Sequence, residues 1–283
     1  MPDAPALPAS LDEISQPYDA ILSDVWGVIH NGVEAHPAAC AALVRARAGG
    51  RAVVLVTNAP RPATVIERHL AHLGVPREAW DRIVSSGDVT RALIADGPRR
   101  IFHIGTDADL PLYDGLDVEL VEEFEAQAVV CTGLFDDENE TPEDYAELLR
   151  RLRARNLPFV CANPDIVVER GDRLIWCAGA LARDYGQLGG RTLIAGKPYR
   201  PIYEAALAAA ADVLGHAPRK VLAIGDGALT DLKGAAQAGI DALFVSAGIH
   251  ASEYGAPEPD PVLLAAFLAR HGLTPLAVMP KLA

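Results

Sequence analysis

Short apolar runs alternate with amphipathic stretches along most of the chain, the pattern of a parallel sheet covered by helices on both faces. Ala20-Ile21-Leu22 and Ala52-Val53-Val54-Leu55-Val56 read as buried strands, because a strand covered on both sides is a near-continuous apolar run. Between them a helix is predicted from about Ala38 to Ala48, leaving through Gly49-Gly50. Pro62 opens a further helix that runs through His69 and Leu73 and stops at Gly74, since proline suits the first turn and glycine the exit.

Near Ser85-Ser86-Gly87 the pattern restarts with its own strands: Ile101-Phe102-His103-Ile104, Ala128-Val129-Val130-Cys131 and Phe159-Val160-Cys161-Ala162. Thr141-Pro142-Glu143-Asp144 is a helix start with cap, first-turn proline and acids facing the positive helix end. The acidic stretch from Asp136 to Glu147 is therefore read as a solvated helix start rather than a metal site. At Thr192-Leu193-Ile194-Ala195 the first pattern is expected to resume, followed by a helix over about Pro201 to Leu214 and a strand at Val221-Leu222-Ala223-Ile224. A helix through Ala238, a strand at Ala242-Leu243-Phe244-Val245 and a helix after Pro261 complete the chain. The expected organisation is an α/β doubly wound parallel sheet built from residues 1–86 and 188–283, with a second α/β domain, 87–187, inserted into it.

Two strand ends carry acids. Asp24-Val25-Trp26-Gly27 follows the first strand, and Gly225-Asp226-Gly227-Ala228-Leu229-Thr230-Asp231 follows the Val221 strand about 200 residues later. Open α/β sheets bind ligands at the carboxyl ends of their strands. Carboxylates gathered there repel one another unless a cation joins them, and hard oxygen ligands suit Mg²⁺. Thr57-Asn58 and Gly196-Lys197-Pro198 stand at two further strand ends. A carboxylate nucleophile, a hydroxyl beside an amide, a lysine and a metal-binding acid pair are what phosphoryl transfer requires.

In their order and spacing these four elements resemble the motifs of the haloacid dehalogenase superfamily. The insertion between Thr57-Asn58 and Lys197, with Ala162-Asn163-Pro164-Asp165, is similar to class IIA members, which carry a large α/β cap. The resemblance spans about residues 18 to 250 and implies a Rossmann-like core, a cap domain and Mg²⁺-dependent hydrolysis of a small phosphomonoester such as a sugar, nucleotide or cofactor phosphate. It implies that Asp24 attacks phosphorus and that Lys197 neutralises charge. Thr57 and the Asn58 amide would hold the phosphate, and Asn163 and Asp165 would face the leaving group from the cap. Metal would be held by Asp24, the Trp26 backbone carbonyl, Asp226 and Asp231. Caps of this kind pair in many members, so a homodimer is expected by analogy.

One position departs from the family pattern. Its phosphatases place a second aspartate two residues after the nucleophile, where this chain has Trp26. The metal-binding carbonyl survives that exchange, whereas general acid and base assistance, worth roughly 10²–10⁴ in rate, does not. The expectation is slow turnover, turnover restricted to substrates with good leaving groups, or an acid-base group from elsewhere; His30 is the nearest titratable candidate, although a loop histidine is more often a structural hydrogen-bonder. The Trp26 ring itself is expected either to pack against the cap or to stack on a substrate ring. An alternative from a different class is a catalytically impaired protein that binds a phosphorylated metabolite and reports its level.

Composition narrows the partners. The chain has 283 residues, half of them hydrophobic, and a formal net charge of −13, which disfavours a nucleic-acid backbone as partner. Met1 to Pro17 lacks a secretory pattern, and no apolar run approaches a membrane span. Cys40, Cys131, Cys161 and Cys177 form no Cys-x-x-Cys pair, as expected for reduced packing residues in the cytoplasm. Neither a Gly-x-Gly-x-x-Gly nor a P-loop is present, which argues against a dinucleotide oxidoreductase or P-loop ATPase.

Overall fold

The computed structural model describes residues 5–170, 173–255 and 258–283, with the Glu169 side chain outside the description. The strands in chain order are β1 (Ala20–Ser23), β2 (Ala52–Thr57), β3 (Arg82–Ser85), β4 (Arg100–Ile104), β5 (Glu119–Leu120), β6 (Ala128–Cys131) and β7 (Phe159–Cys161). They continue as β8 (Val167–Arg170), β9 (Arg173–Trp176), β10 (Thr192–Ile194), β11 (Val221–Gly225), β12 (Asp241–Val245) and β13 (Ala277–Met279). The chain divides into two compact units, one of Met1–Thr57, Glu67–Val84 and Ile202–Ala283, the other of Asn58–Ile66 and Ser85–Pro201. Among the described residues no helix is long and apolar enough to cross a membrane.

The first unit holds a six-stranded sheet in the order β13-β12-β11-β1-β2-β3, with parallel pairing from β13 through β2. All residues of β1 and β2 are buried, as continuous apolar runs require when both faces are covered. From β1 the chain moves to β2 on one side, whereas β11 leads to β12 and β13 on the other. The order therefore reverses between β1 and β11, and a crevice opens at the carboxyl ends of these two strands. Register places Ser23 opposite Ile224, so Asp24, the first residue after β1, stands beside Gly225, the last residue of β11.

The second unit holds a five-stranded parallel sheet, β10-β7-β6-β4-β5, and a β8–β9 hairpin. One of its apolar clusters is built from Val129, Phe159, Leu149, Leu152 and Tyr185, another from Ile94, Ile101, Leu112, Val130 and Val160. Thr141 and Asp144 form a capping box at the 3₁₀ turn Pro142–Tyr145, which runs into the helix Ala146–Ala154, while Asp137 of the same acidic stretch pairs with Arg170. The four cysteines are buried free thiols.

One strand sits elsewhere than the sequence suggests. Thr192–Ile194 pairs in register with Phe159–Cys161, so it closes the five-stranded sheet instead of resuming the six-stranded one. Its apolar pattern identifies a strand, but only hydrogen-bonding partners decide which sheet takes it. The sequence pattern also left out β3, β5, β8, β9 and β13, which are short or partly exposed.

Candidate active site

In the first unit, Asp24, Asp226 and Asp231 each present a carboxylate oxygen, and these oxygens lie within 4.8 Å of one another. All three residues are buried. The backbone brings them together: Asp24 N–H donates to the Ile224 carbonyl at 2.8 Å, which continues the β1–β11 ladder to its last rung. Gly27 has φ +81°, and a Cβ on it would stand 2.2 Å from Asp226 Oδ2, so both the turn and the approach of the carboxylate require glycine. Gly225 is equally hemmed in, with Asp231 Cγ 2.1 Å from where its Cβ would be.

The second acidic turn is held by its own side chain and by a neighbouring loop. Asp231 Oδ2 accepts from Gly227 N–H at 3.0 Å, and Asp226 Oδ2 accepts from Ile249 N–H at 3.0 Å. His250 accepts Ala228 N–H on Nε2 at 3.2 Å. The sequence reading passed over Ile249 and His250, although they follow β12, the strand next to β11, and the same strand-end rule would have pointed to them.

Trp26 and His30 form one packed turn. The Trp26 ring covers Gly32, where an added Cβ would stand 2.4 Å from Cζ2, and it meets the His30 ring edge-on with centroids 5.1 Å apart. The ring is thus engaged within its own loop. His30 is 2% exposed, its Nδ1 accepts from Gly32 N–H at 2.9 Å, and it also faces the His69 ring. Burial first, then the charges of His69 and His36, push its pKa down to about 4. A buried imidazole with one nitrogen already accepting has the setting of a structural hydrogen-bonder.

In the second unit, Asn58 ties together the remaining candidates. Its Oδ1 accepts from Lys197 N–H at 2.7 Å, while its Nδ2 donates to Asp165 Oδ1 at 2.8 Å and to the Lys197 carbonyl at 3.3 Å. Asn163 Oδ1 accepts from Asp165 N–H at 3.1 Å, an Asx turn that holds the Asp165 backbone. Gly196 approaches Asn58 and Pro164 so closely that a Cβ would lie 2.6 Å from Asn58 Oδ1. Residues 139 positions apart are therefore locked by one amide side chain. Thr57, at the end of β2, is buried in the first unit.

Three buried carboxylates converging from adjacent strand ends fit a hard divalent cation, since they supply only oxygen ligands and their mutual repulsion needs an opposite charge.

Comparison with known proteins agrees with this arrangement. A haloacid dehalogenase-like hydrolase family profile matches residues 21–119, and a second, HAD-hydrolase-like profile matches residues 194–273. A haloacid dehalogenase-like hydrolase from Brucella suis 1330 is 60% identical, with a TM-score of 0.89 over 98% of this chain and 100% of that one. The D-glycerol 3-phosphate phosphatase of Mycobacterium tuberculosis is 29% identical over 259 residues, 89% of this chain and 69% of that protein. A solved glycerol phosphate phosphatase from the same organism, in complex with magnesium, is 28% identical with a TM-score of 0.65, covering 83% of this chain and 70% of that one. With a near-complete relative at this identity and a fold in common, the chain belongs to the haloacid dehalogenase-like hydrolase family.

Proposed function

We propose that the protein is a Mg²⁺-dependent phosphatase of class IIA that hydrolyses a small phosphomonoester through a phosphorylated Asp24. The observation that carries this reading is the convergence of Asp24, Asp226 and Asp231 at the point where the order of the six-stranded sheet reverses. The similarity to a glycerol phosphate phosphatase supports a small phosphorylated metabolite as substrate.

Asp24, the Trp26 carbonyl, Asp226 and Asp231 would hold Mg²⁺, with Asp231 acting directly or through water. When bound, the ion supplies the positive charge that lets anionic carboxylates and phosphoryl oxygens approach. One Asp24 oxygen attacks phosphorus while the bond to the leaving oxygen breaks, and the electron pair stays with that oxygen. Water then attacks phosphorus, the bond to Asp24 breaks, and carboxylate and inorganic phosphate are released. The Thr57 hydroxyl and the Asn58 backbone amide hold phosphoryl oxygens. The Asn58 side chain instead holds Lys197 and Asp165. By the family resemblance, Lys197 would offset anionic charge, and Asn163 and Asp165 would face the leaving group.

Trp26 has no proton to give, and His30 is withheld by burial, so the leaving oxygen takes its proton from water. Turnover is then fastest for aryl phosphates, whose leaving groups need the least help. The same feature favours a second reading: a protein that binds a phosphorylated metabolite with little turnover.

Phosphate release from glycerol, sugar, nucleotide, cofactor and aryl phosphates, with Mg²⁺ and with EDTA, separates the two. The enzyme reading expects release that is strongest for the aryl ester and lost in EDTA. No release from any ester by folded, Mg²⁺-supplied protein would favour the binder. Trp26→Asp is expected to raise alkyl phosphate turnover by about 10- to 100-fold by restoring the acid. No gain in a folded, metal-binding variant would contradict the account of the missing proton.

A further inference from the structure

The turn carrying Asp226 and Asp231 depends on two acceptors for its first amides. Gly227 N–H is taken by Asp231 itself, and Ala228 N–H is taken by His250 Nε2. Ala228 is fully buried and opens the short helical turn Ala228–Leu232, where a first-turn amide has no partner within the turn. His250 is in turn fixed from behind. Its Nδ1 faces Glu253 Oε1 at 3.4 Å, Glu253 Oε2 accepts from the Arg270 guanidinium, and the imidazole lies 5.1 Å from the Phe267 ring. An imidazole accepting on Nε2 carries its proton on Nδ1, the tautomer a carboxylate at Nδ1 stabilises, as assigned from these hydrogen bonds. The loop's start is pinned as well, because Tyr254 Oη donates to the Ser246 carbonyl at 2.9 Å. Gly248 packs against Asp226, with a Cβ site 2.1 Å from Oδ2.

We propose that His250 is a positioning residue for the metal site: by accepting Ala228 N–H it holds the Asp226–Asp231 turn in the geometry that binds the cation. The inference rests on the reading of the three carboxylates as a metal site. Without the imidazole, Ala228 N–H seeks another acceptor, and the Asp231 carboxylate, already accepting from the adjacent amide, becomes the competitor within the turn. A carboxylate drawn toward two amides is a poorer ligand. His250 therefore acts on metal affinity through the backbone, in the way that groups behind metal ligands do, where loss of one weakens binding about 10–100-fold.

The test is calorimetric titration of Mg²⁺ into the wild-type chain, His250→Ala, His250→Gln and Asp226→Asn, with amide exchange at Ala228 as a second readout. His250→Ala is expected to weaken Mg²⁺ binding about 10-fold or more and to speed exchange at Ala228. His250→Gln, whose side-chain oxygen accepts the same amide, is expected to restore most of both. In turnover, His250→Ala raises the Mg²⁺ concentration needed for half-maximal rate and recovers kcat at saturating Mg²⁺, a split that general loss of structure would not give. If His250→Ala does not fold, His250→Phe keeps the packing on Phe267 without an acceptor and is read against the same outcomes. Wild-type affinity in a folded variant lacking the acceptor overturns the inference while leaving the metal site intact. Wild-type protein that binds no Mg²⁺ overturns the metal reading and this inference with it.

Discussion

The two parallel sheets reverse their strand order in the same manner, yet their switch points hold opposite chemistry. In the first unit the reversal falls between β1 and β11, and three carboxylates converge there. In the second it falls between β4 and β6, where His103 Nε2 and Thr132 Oγ1 share a hydrogen bond of 3.0 Å. Nearby, the buried Asp109 accepts from Arg61 Nε at 2.7 Å. The first site concentrates one sign of charge and suits a cation. The second joins a neutral pair and matches its acid with a base. Topology offers a crevice in both, but only the residues at the strand ends decide what chemistry it can do.

Paired glycine substitutions probe this contrast most severely. Gly27→Ala forces a side chain into φ +81° and against Asp226, for roughly 1–3 kcal/mol in backbone strain before the clash is counted. It is expected to lower Tm and weaken Mg²⁺ binding together. Gly105→Ala sets a Cβ 1.9 Å from Thr132 Oγ1 and is expected to lower Tm while the protein that remains folded binds Mg²⁺ with unchanged affinity. Equal effects of the two on calorimetric Mg²⁺ affinity would erase the distinction between the switch points.

A smaller effect is expected from Arg61→Ala. It leaves the buried Asp109 carboxylate without its guanidinium, and because Arg61 is partly exposed the cost is about 1–2 kcal/mol, read from the urea midpoint. Smallest is the pH response of His103, whose pKa is lowered chiefly by burial. Its neutral form is the one the fold favours, so its contribution to stability is present above the ordinary histidine pKa of about 6.5 and declines as pH falls below it. His103→Gln should flatten the dependence of the urea midpoint between neutral and mildly acidic pH.

The strand-end acids were legible because buried parallel strands are unbroken apolar runs whose first polar residue marks the exit from the sheet. Asp24 and Asp226 stand at those exits, and neighbouring strands bring them together. The same logic fails where identity of a partner matters. Thr192–Ile194 reads as a strand in either sheet, and only its register with Phe159–Cys161 assigns it. The fate of the Trp26 ring depends on the missing side chain of Gly32, and the lock between Asn58 and Lys197 joins residues too distant for any local pattern to link. His250 was within reach, since it follows β12 at the edge of the same crevice, but a lone loop histidine carries no periodic signal.

The central claim is a covalent bond between Asp24 and phosphorus, and trapping it is the most direct test. Acid quench during turnover of an aryl phosphate with Mg²⁺, followed by mass analysis of the Asp24 peptide, is expected to find one added phosphoryl group, absent in Asp24→Asn and in EDTA. Sustained turnover by Asp24→Asn, or a phosphoryl group carried by a different residue, would contradict the account.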